Sequence, residues 1–291
     1  MKRTPISKYA VKETRVRLKH YAKALRHAAK HPDDQEAIHD LRVSIRRVTQ
    51  SLRTFRGLLD PAPLKRFRGR LRKLMDLCAA VRNCDVALDL LPQVGITGNA
   101  TMKKTRVEAE KSLHRRLKKE RKKPSLSVDT ASPPADGDWK LEQSPEDNLR
   151  RVLPAQAEEY FAAGWAAISQ AASYQTLHQF RLRSKRFRYT LELFEHFYGS
   201  EMGRGAKILK ELQDRLGAIN DCATTIDLLK SDRRVATALS ELLRRRRTAL
   251  QTYARGQFTP QKLDWCKGWL SRPLTRPKSS VPSSRSAAHR G

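Results

Sequence analysis

One basic phrase is written twice in this chain. His39-Asp-Leu-Arg42-Val-Ser-Ile-Arg46-Arg47 returns as His178-Gln-Phe-Arg181-Leu-Arg-Ser-Lys185-Arg186. Between His39 and Phe55 and between His178 and Phe194 the His, two Arg, a Leu and the closing Phe are identical, and Arg46 against Lys185 keeps the charge. After a shift of one residue the match resumes: Leu71, Leu74, Asp76, Ala80, Cys84, Asp89, Leu90 and Leu91 face Leu209, Leu212, Asp214, Ala218, Cys222, Asp227, Leu228 and Leu229. Such self-similarity reads as a tandem duplication. A chain of 291 residues has room for two units of ordinary size, each expected to carry its own core.

Strand signals are scarce, and apolar residues recur at three and four positions through most of the length, so the pattern predicts an all-α protein. At about 100° per residue, Leu41, Ile45, Val48, Leu52 and Phe55 form one stripe about 80° wide, with His39, Arg42, Arg46 and Arg53 nearly opposite. In the second copy Phe180, Phe187, Leu191 and Phe194 make the stripe and His178, Arg181 and Lys185 the ridge, while Glu192 stands where the first copy has Arg53. Three further helices are expected around each motif helix: about Ile6 to Lys30, Pro63 to Val81 and Ala100 to Lys122 in the first half. In the second half they are about Pro145 to Ser173, Gly203 to Ile219 and Val235 to Phe258, so each half reads as a four-helix bundle.

This divides the chain into a first bundle over 1–123, a linker over 124–138, a second bundle over 139–270 and a tail over 271–291. The linker is rich in proline, locally acidic and nearly without apolar residues, so it is expected to be mobile. The tail, with Arg, Lys, Ser and Pro and no acid, reads as disordered and cationic.

With 60 Lys plus Arg against 30 Asp plus Glu, a formal charge of +30 makes a compact body repel itself unless anions gather around it. A polyanionic partner follows. Cys78, Cys84, Cys222 and Cys266 lack CxxC spacing and read as buried thiols in a reducing compartment. No segment has the apolar length of a membrane span and Met1-Lys-Arg is not followed by a signal-type apolar core, so the cytosol is expected.

A merely solvated helix face would mix signs for i,i+4 pairing. The ridge from His39 to Arg53 does not, its one acid Asp40 pointing elsewhere, and both copies keep a histidine that solubility does not require. His39-Asp40 is an HD dipeptide of the kind metal-dependent phosphohydrolases use, but the second copy reads His178-Gln179, and a cation at His39 would sit beside Arg42 and Arg46. Nucleophile triads, Gly-rich phosphate loops and zinc spacings are absent, and Asp85, Asp89, Asp221 and Asp227 read as helix caps or partners of motif arginines. The runs His114 to Lys123 and Arg244 to Arg247 are expected to take part only partially.

The twin His-x-x-Arg-x-x-x-(Arg/Lys)-Arg motif on helices ending in Leu-x-x-Phe, with Val81-Arg82-Asn83-Cys84-Asp85-Val86 and Ile219-Asn220-Asp221-Cys222, resembles the CHAD family, the conserved histidine α-helical domain. The likeness runs from about Ser7 to Leu270. It implies two four-helix bundles about a pseudo-twofold axis and inorganic polyphosphate held in the basic groove between them, with His39, Arg42, Arg46, Arg47, His178, Arg181, Lys185 and Arg186 as binding residues; the ridge adds Arg53. Asn83 stands where the family often has an acid. The residue types fit independently, because polyphosphate is a featureless chain that is bound through charge and hydrogen bonds, with little need for aromatic platforms. Aromatic content is 7%, whereas single-stranded nucleic acid binders interleave aromatics with their cations.

The expectation is thus a polyphosphate-binding protein of the cytoplasm or its polyphosphate granules, not an enzyme and without cofactor or metal. Nucleic acid is the rival partner, and metal-dependent phosphohydrolysis the more distant alternative. If His39 and His178 contact phosphate, binding should strengthen below about pH 6.5.

Overall fold

The computed structural model describes residues 5–123, 126–130, 139–169, 172–198 and 201–274. Among these residues every regular element is helical, apart from an isolated antiparallel bridge between Leu59 and Thr130. The helices are α1 (Ile6–Lys30), α2 (Gln35–Thr54), α3 (Pro61–Leu90) and α4 (Ala100–Arg121) in the first half. The second half holds α5 (Pro145–Ile168), α6 (Tyr174–Leu193), the single turn α7 (Glu195–Tyr198), α8 (Glu201–Leu228), α9 (Arg233–Arg255) and α10 (Pro260–Ser271).

The starts of these helices are set locally. Asp34, Asp60, Asn99, Ser144, Ser173, Asp232 and Thr259 each accept a backbone N–H of the following turn, and Pro61, Pro145 and Pro260 occupy the first helical position, where no N–H is needed. Two helices outrun their expected lengths. α3 continues past Val81 to Leu90 and α8 past Ile219 to Leu228, because Val86, Ala87 and Leu90 bury against Cys222, Leu229 and Val235 in a small second core. The helix α10 was not foreseen; it packs on α5, with Leu270 buried and its carbonyl accepting from Tyr198 Oη at 3.2 Å.

α1 packs on α2, α3 on α4, α5 on α6 and α10, and α8 on α6 and α9; between the halves α2 meets α6 and α3 meets α8. The halves do not keep separate cores. One apolar cluster runs from Ile6 to Leu270, joined where the motif helices end: Phe55 and Phe194, both fully buried, meet edge to face at 5.8 Å. Tyr9 stacks on Phe194 and donates its hydroxyl to the Leu193 carbonyl at 2.8 Å, and Trp139 lies against both phenylalanines while its Nε1 donates to the Thr54 carbonyl. Rings this large, brought into contact across the halves, bind the two cores into one.

Part of the segment expected to be a mobile linker is pinned. Val128 is 2% exposed, Arg15 donates to its carbonyl and pairs with Asp129 at 2.9 Å, and the Asp60 amide donates to the Asp129 carbonyl. Val128 finds a core niche, and Leu126 packs against the same core. Residues 124–125 and 131–138, and the tail beyond 274, lie outside the described residues. Cys78, Cys84 and Cys222 are buried free thiols and Cys266 is half-buried. No helix among the described residues is long and apolar enough to cross a membrane.

Candidate anion-binding groove

Because Leu41, Ile45, Val48 and Leu52 are at most 1% exposed, the opposite face of α2 must look outward, and it looks into a cavity of about 330 Å³ between α2, α3 and α4. His39, Arg42 and Arg46 enter it from α2, Arg82 and Asp85 from α3, and Arg106 and Glu110 from α4. By the same logic the buried Leu177, Phe180, Phe187 and Leu191 turn Arg181, Lys185 and Arg188 of α6 outward. They line a second cavity, of about 440 Å³, closed by α8 and α9. Arg46 and Arg82 line both, so the two cavities form one groove.

Charge is unevenly spread along this groove. The first cavity sets Arg42, Arg46, Arg82 and Arg106 against Asp33, Glu36, Asp85 and Glu110, and Arg106 is consumed by Asp85 at 2.6 Å and Glu110 at 2.9 Å. Glu36 precedes Arg46 by about three turns of α2, roughly 15 Å of helix, so it stands well away from Arg46, where the cavities meet. The second cavity carries Arg46, Arg82, Arg181, Lys185, Arg188 and Arg246 against Asp89, Asp214 and Asp221, an excess of cations.

Where the cavities meet, several guanidiniums keep an unmet N–H. The Nε atoms of Arg42, Arg46 and Arg181 are buried without a hydrogen-bond acceptor. Burial first, and then Arg46, pushes the Arg42 guanidinium below the usual arginine range; burial does the same to Arg181, against the pull of Asp221. Both stay charged at any ordinary pH. Lys185 does not share that immunity: burial, and after it the charges of Arg181, Arg46, Arg188 and Arg42, push its ammonium down to about 7. Leaving several cations half-desolvated with too few counter-charges costs folding free energy, and an anion in the groove would supply what is missing.

The family model for the CHAD domain matches residues 15–230. The chain belongs to the CHAD domain family. No curated protein matches it. Among solved structures it is similar to the CHAD domain from the plant Ricinus communis, with 21% identity, 94% of this chain and 95% of that chain covered and a TM-score of 0.56. It is also similar to PptA from Streptomyces chartreusis, with 19% identity, coverage of 90% and 100% and a TM-score of 0.54. At these identities the likeness concerns the fold.

In this CHAD domain the sequence-derived residues separate into two groups. His39, Arg42, Arg46, Arg181 and Lys185 line the groove. His178, Arg47, Arg53 and Arg186 are not among its lining. His178 Nδ1 lies 3.3 Å from Asn220 Oδ1, and Arg47 Nε 3.7 Å from Glu192 across the contact of α2 with α6. Arg53 is pushed below the usual arginine range by burial and then by Arg186 and Arg68, which makes these three a separate cationic patch.

Arg82, Arg188 and Arg246 were missed. Arg188 continues the ridge at the spacing 181, 185, 188, but its counterpart in the first copy is Thr49, so comparing the copies hid it. It leans on Glu192 at 3.3 Å and covers the Tyr189 ring. Of the run Arg244 to Arg247, Arg246 alone lines the groove, held by the Ala218 carbonyl, Cys222 Sγ and Gln93; Arg244 and Arg245 pair with Glu241 on the surface. In the run from His114, Arg116 and Lys123 turn to the buried Glu120. Among the described residues, the His, Cys and acidic side chains close enough to share a metal ion are Asp33, Glu110 and His114, a group that does not include His39 or Asp40.

Proposed function

We propose that this CHAD-domain protein binds inorganic polyphosphate without chemically altering it, in the groove where Arg42 and Arg46 of α2 face Arg181 and Lys185 of α6. The observation that carries this reading is the set of cations from both halves lining one groove, with the Nε atoms of Arg42, Arg46 and Arg181 buried and without an acceptor. A chain of phosphates brings acceptor oxygens at regular spacing and needs no shaped pocket, so it can satisfy α2 and α6 together. We further propose that the two halves are duplicated bundles about a pseudo-twofold axis; the meeting of Phe55 with Phe194, of α2 with α6 and of α3 with α8 supports this. The setting this implies is the cytoplasm, at polyphosphate granules.

Nucleic acid fits the same charge less well. Tyr189 is the aromatic side chain lining the groove, and the Arg188 guanidinium lies 4.8 Å over its ring, where a base would have to stack. Metal-dependent phosphohydrolysis at His39 is opposed by Arg42 and Arg46 beside it. With labelled long-chain polyphosphate bound at physiological salt, excess duplex DNA or RNA should fail to displace it. Comparable displacement per phosphate would favour the nucleic-acid reading.

A further inference from the structure

Lys185 is unlike the other lysines of this chain, most of which lie on solvated helix faces. It is half-buried in the second cavity, with Arg181 and Arg188 one turn away on either side along α6 and Arg46 reaching in from α2. The cavity also receives Arg82 and Asp89 from α3, Asp214 and Asp221 from α8 and Arg246 from α9. Despite those three aspartates, Lys185 forms no ion pair with a carboxylate among the described residues. The guanidiniums outnumber the carboxylates of this cavity and can hold a small dianion, and the amine shares the cavity with them.

We propose that Lys185 is a covalent modification site for small acyl phosphates: the guanidiniums recruit the phosphate group, and the amine takes the acyl group. The proposal rests on the anion-binding reading of the groove. With the phosphate held by Arg46, Arg181 and Arg188, the Nζ lone pair attacks the carbonyl carbon beside it. An N–C amide bond forms, the bond between the carbonyl carbon and the bridging oxygen breaks, inorganic phosphate leaves with that oxygen and the electron pair, and the amine's proton passes to phosphate or water. Nothing is oxidised or reduced. Burial and the neighbouring arginines keep much of this amine neutral near pH 7, and only the neutral amine is a nucleophile. The amide cannot take up the proton that a bound anion draws onto the amine, so acylation weakens polyanion binding where the two ridges converge.

The test uses the intact protein with acetyl phosphate at pH 7.5 and peptide mass spectrometry, with the exposed Lys103 and Lys111 of α4 as internal references. Lys185 should be acetylated about tenfold faster or more, given the larger neutral fraction of a low-pKa amine. Its preference should be several-fold greater with acetyl phosphate than with uncharged acetic anhydride, because only the former is recruited. Equal rates at Lys185 and Lys103, or the same preference with both reagents, would overturn the proposal. Saturating polyphosphate should protect Lys185 and leave Lys103 unprotected; selective acetylation without that protection would sink the polyphosphate reading and leave the modification site standing.

Discussion

Replacing Lys185 by methionine should make the protein more stable and a weaker polyphosphate binder in one step. The ammonium is pushed from the usual lysine value of 10.5 down to about 7. Between those two values the unfolded chain takes up a proton that the folded chain does not, so the cost to folding grows as pH falls from about 10.5 to about 7 and is fully present below that. Methionine has similar length, carries no charge and fills the same volume. At pH 7, allowing for the side chain's partial exposure, the gain should be roughly 1–3 kcal/mol, and binding should weaken tenfold or more through loss of a charge-assisted contact. Thermal unfolding and titration calorimetry on the same sample measure both. A lower unfolding temperature with unchanged affinity would mean that Lys185 is structural. Stability given up at a site where activity needs it is the usual signature of binding residues.

Polyphosphate binding should also draw protons from solution. In the free protein Lys185 is mostly neutral at pH 8; an anion beside it favours the ammonium, so close to one proton per protein should be taken up there. Below pH 7 the amine is already charged and uptake at this residue should vanish. Affinity should therefore be level below pH 7 and fall above it, by up to about tenfold per pH unit until the bound amine itself titrates. Calorimetry in two buffers of different ionisation heat counts the protons. Uptake that persists in Lys185→Met would assign the linkage to another group. The sequence alone attributes the pH dependence to His39 and His178, near 6.5. With His178 turned to Asn220 and His39 exposed at the groove's end, the lysine at its centre is the better placed proton acceptor.

Periodicity made α2 and α6 legible, because a helix that buries Leu41, Ile45, Val48 and Leu52 has only one face left for Arg42 and Arg46. The helical class followed from the same signal, and the caps from single residues such as Asp34 and Ser173. What stayed hidden depends on distant parts of the chain meeting. Nothing local says that Phe55 will touch Phe194, or that Leu126 and Val128, in a mostly polar stretch, will reach the core. Arg82 and Arg246 belong to the groove because α3 and α9 carry them there, and their own segments look like any basic helix. Comparing the two copies identified what they share and concealed what differs. Arg188 has no counterpart, and Arg47 meets Glu192 where Arg186 instead keeps company with Arg53.

The most direct measurement is a crystal structure with long-chain polyphosphate bound. Phosphates should run through the groove within hydrogen-bond distance of Arg42, Arg46, Arg181 and Lys185, with both α2 and α6 in contact with one chain. Density confined to the surface arginines of α9 and the lysines of α4, with the groove cations untouched, would contradict the groove as the binding site.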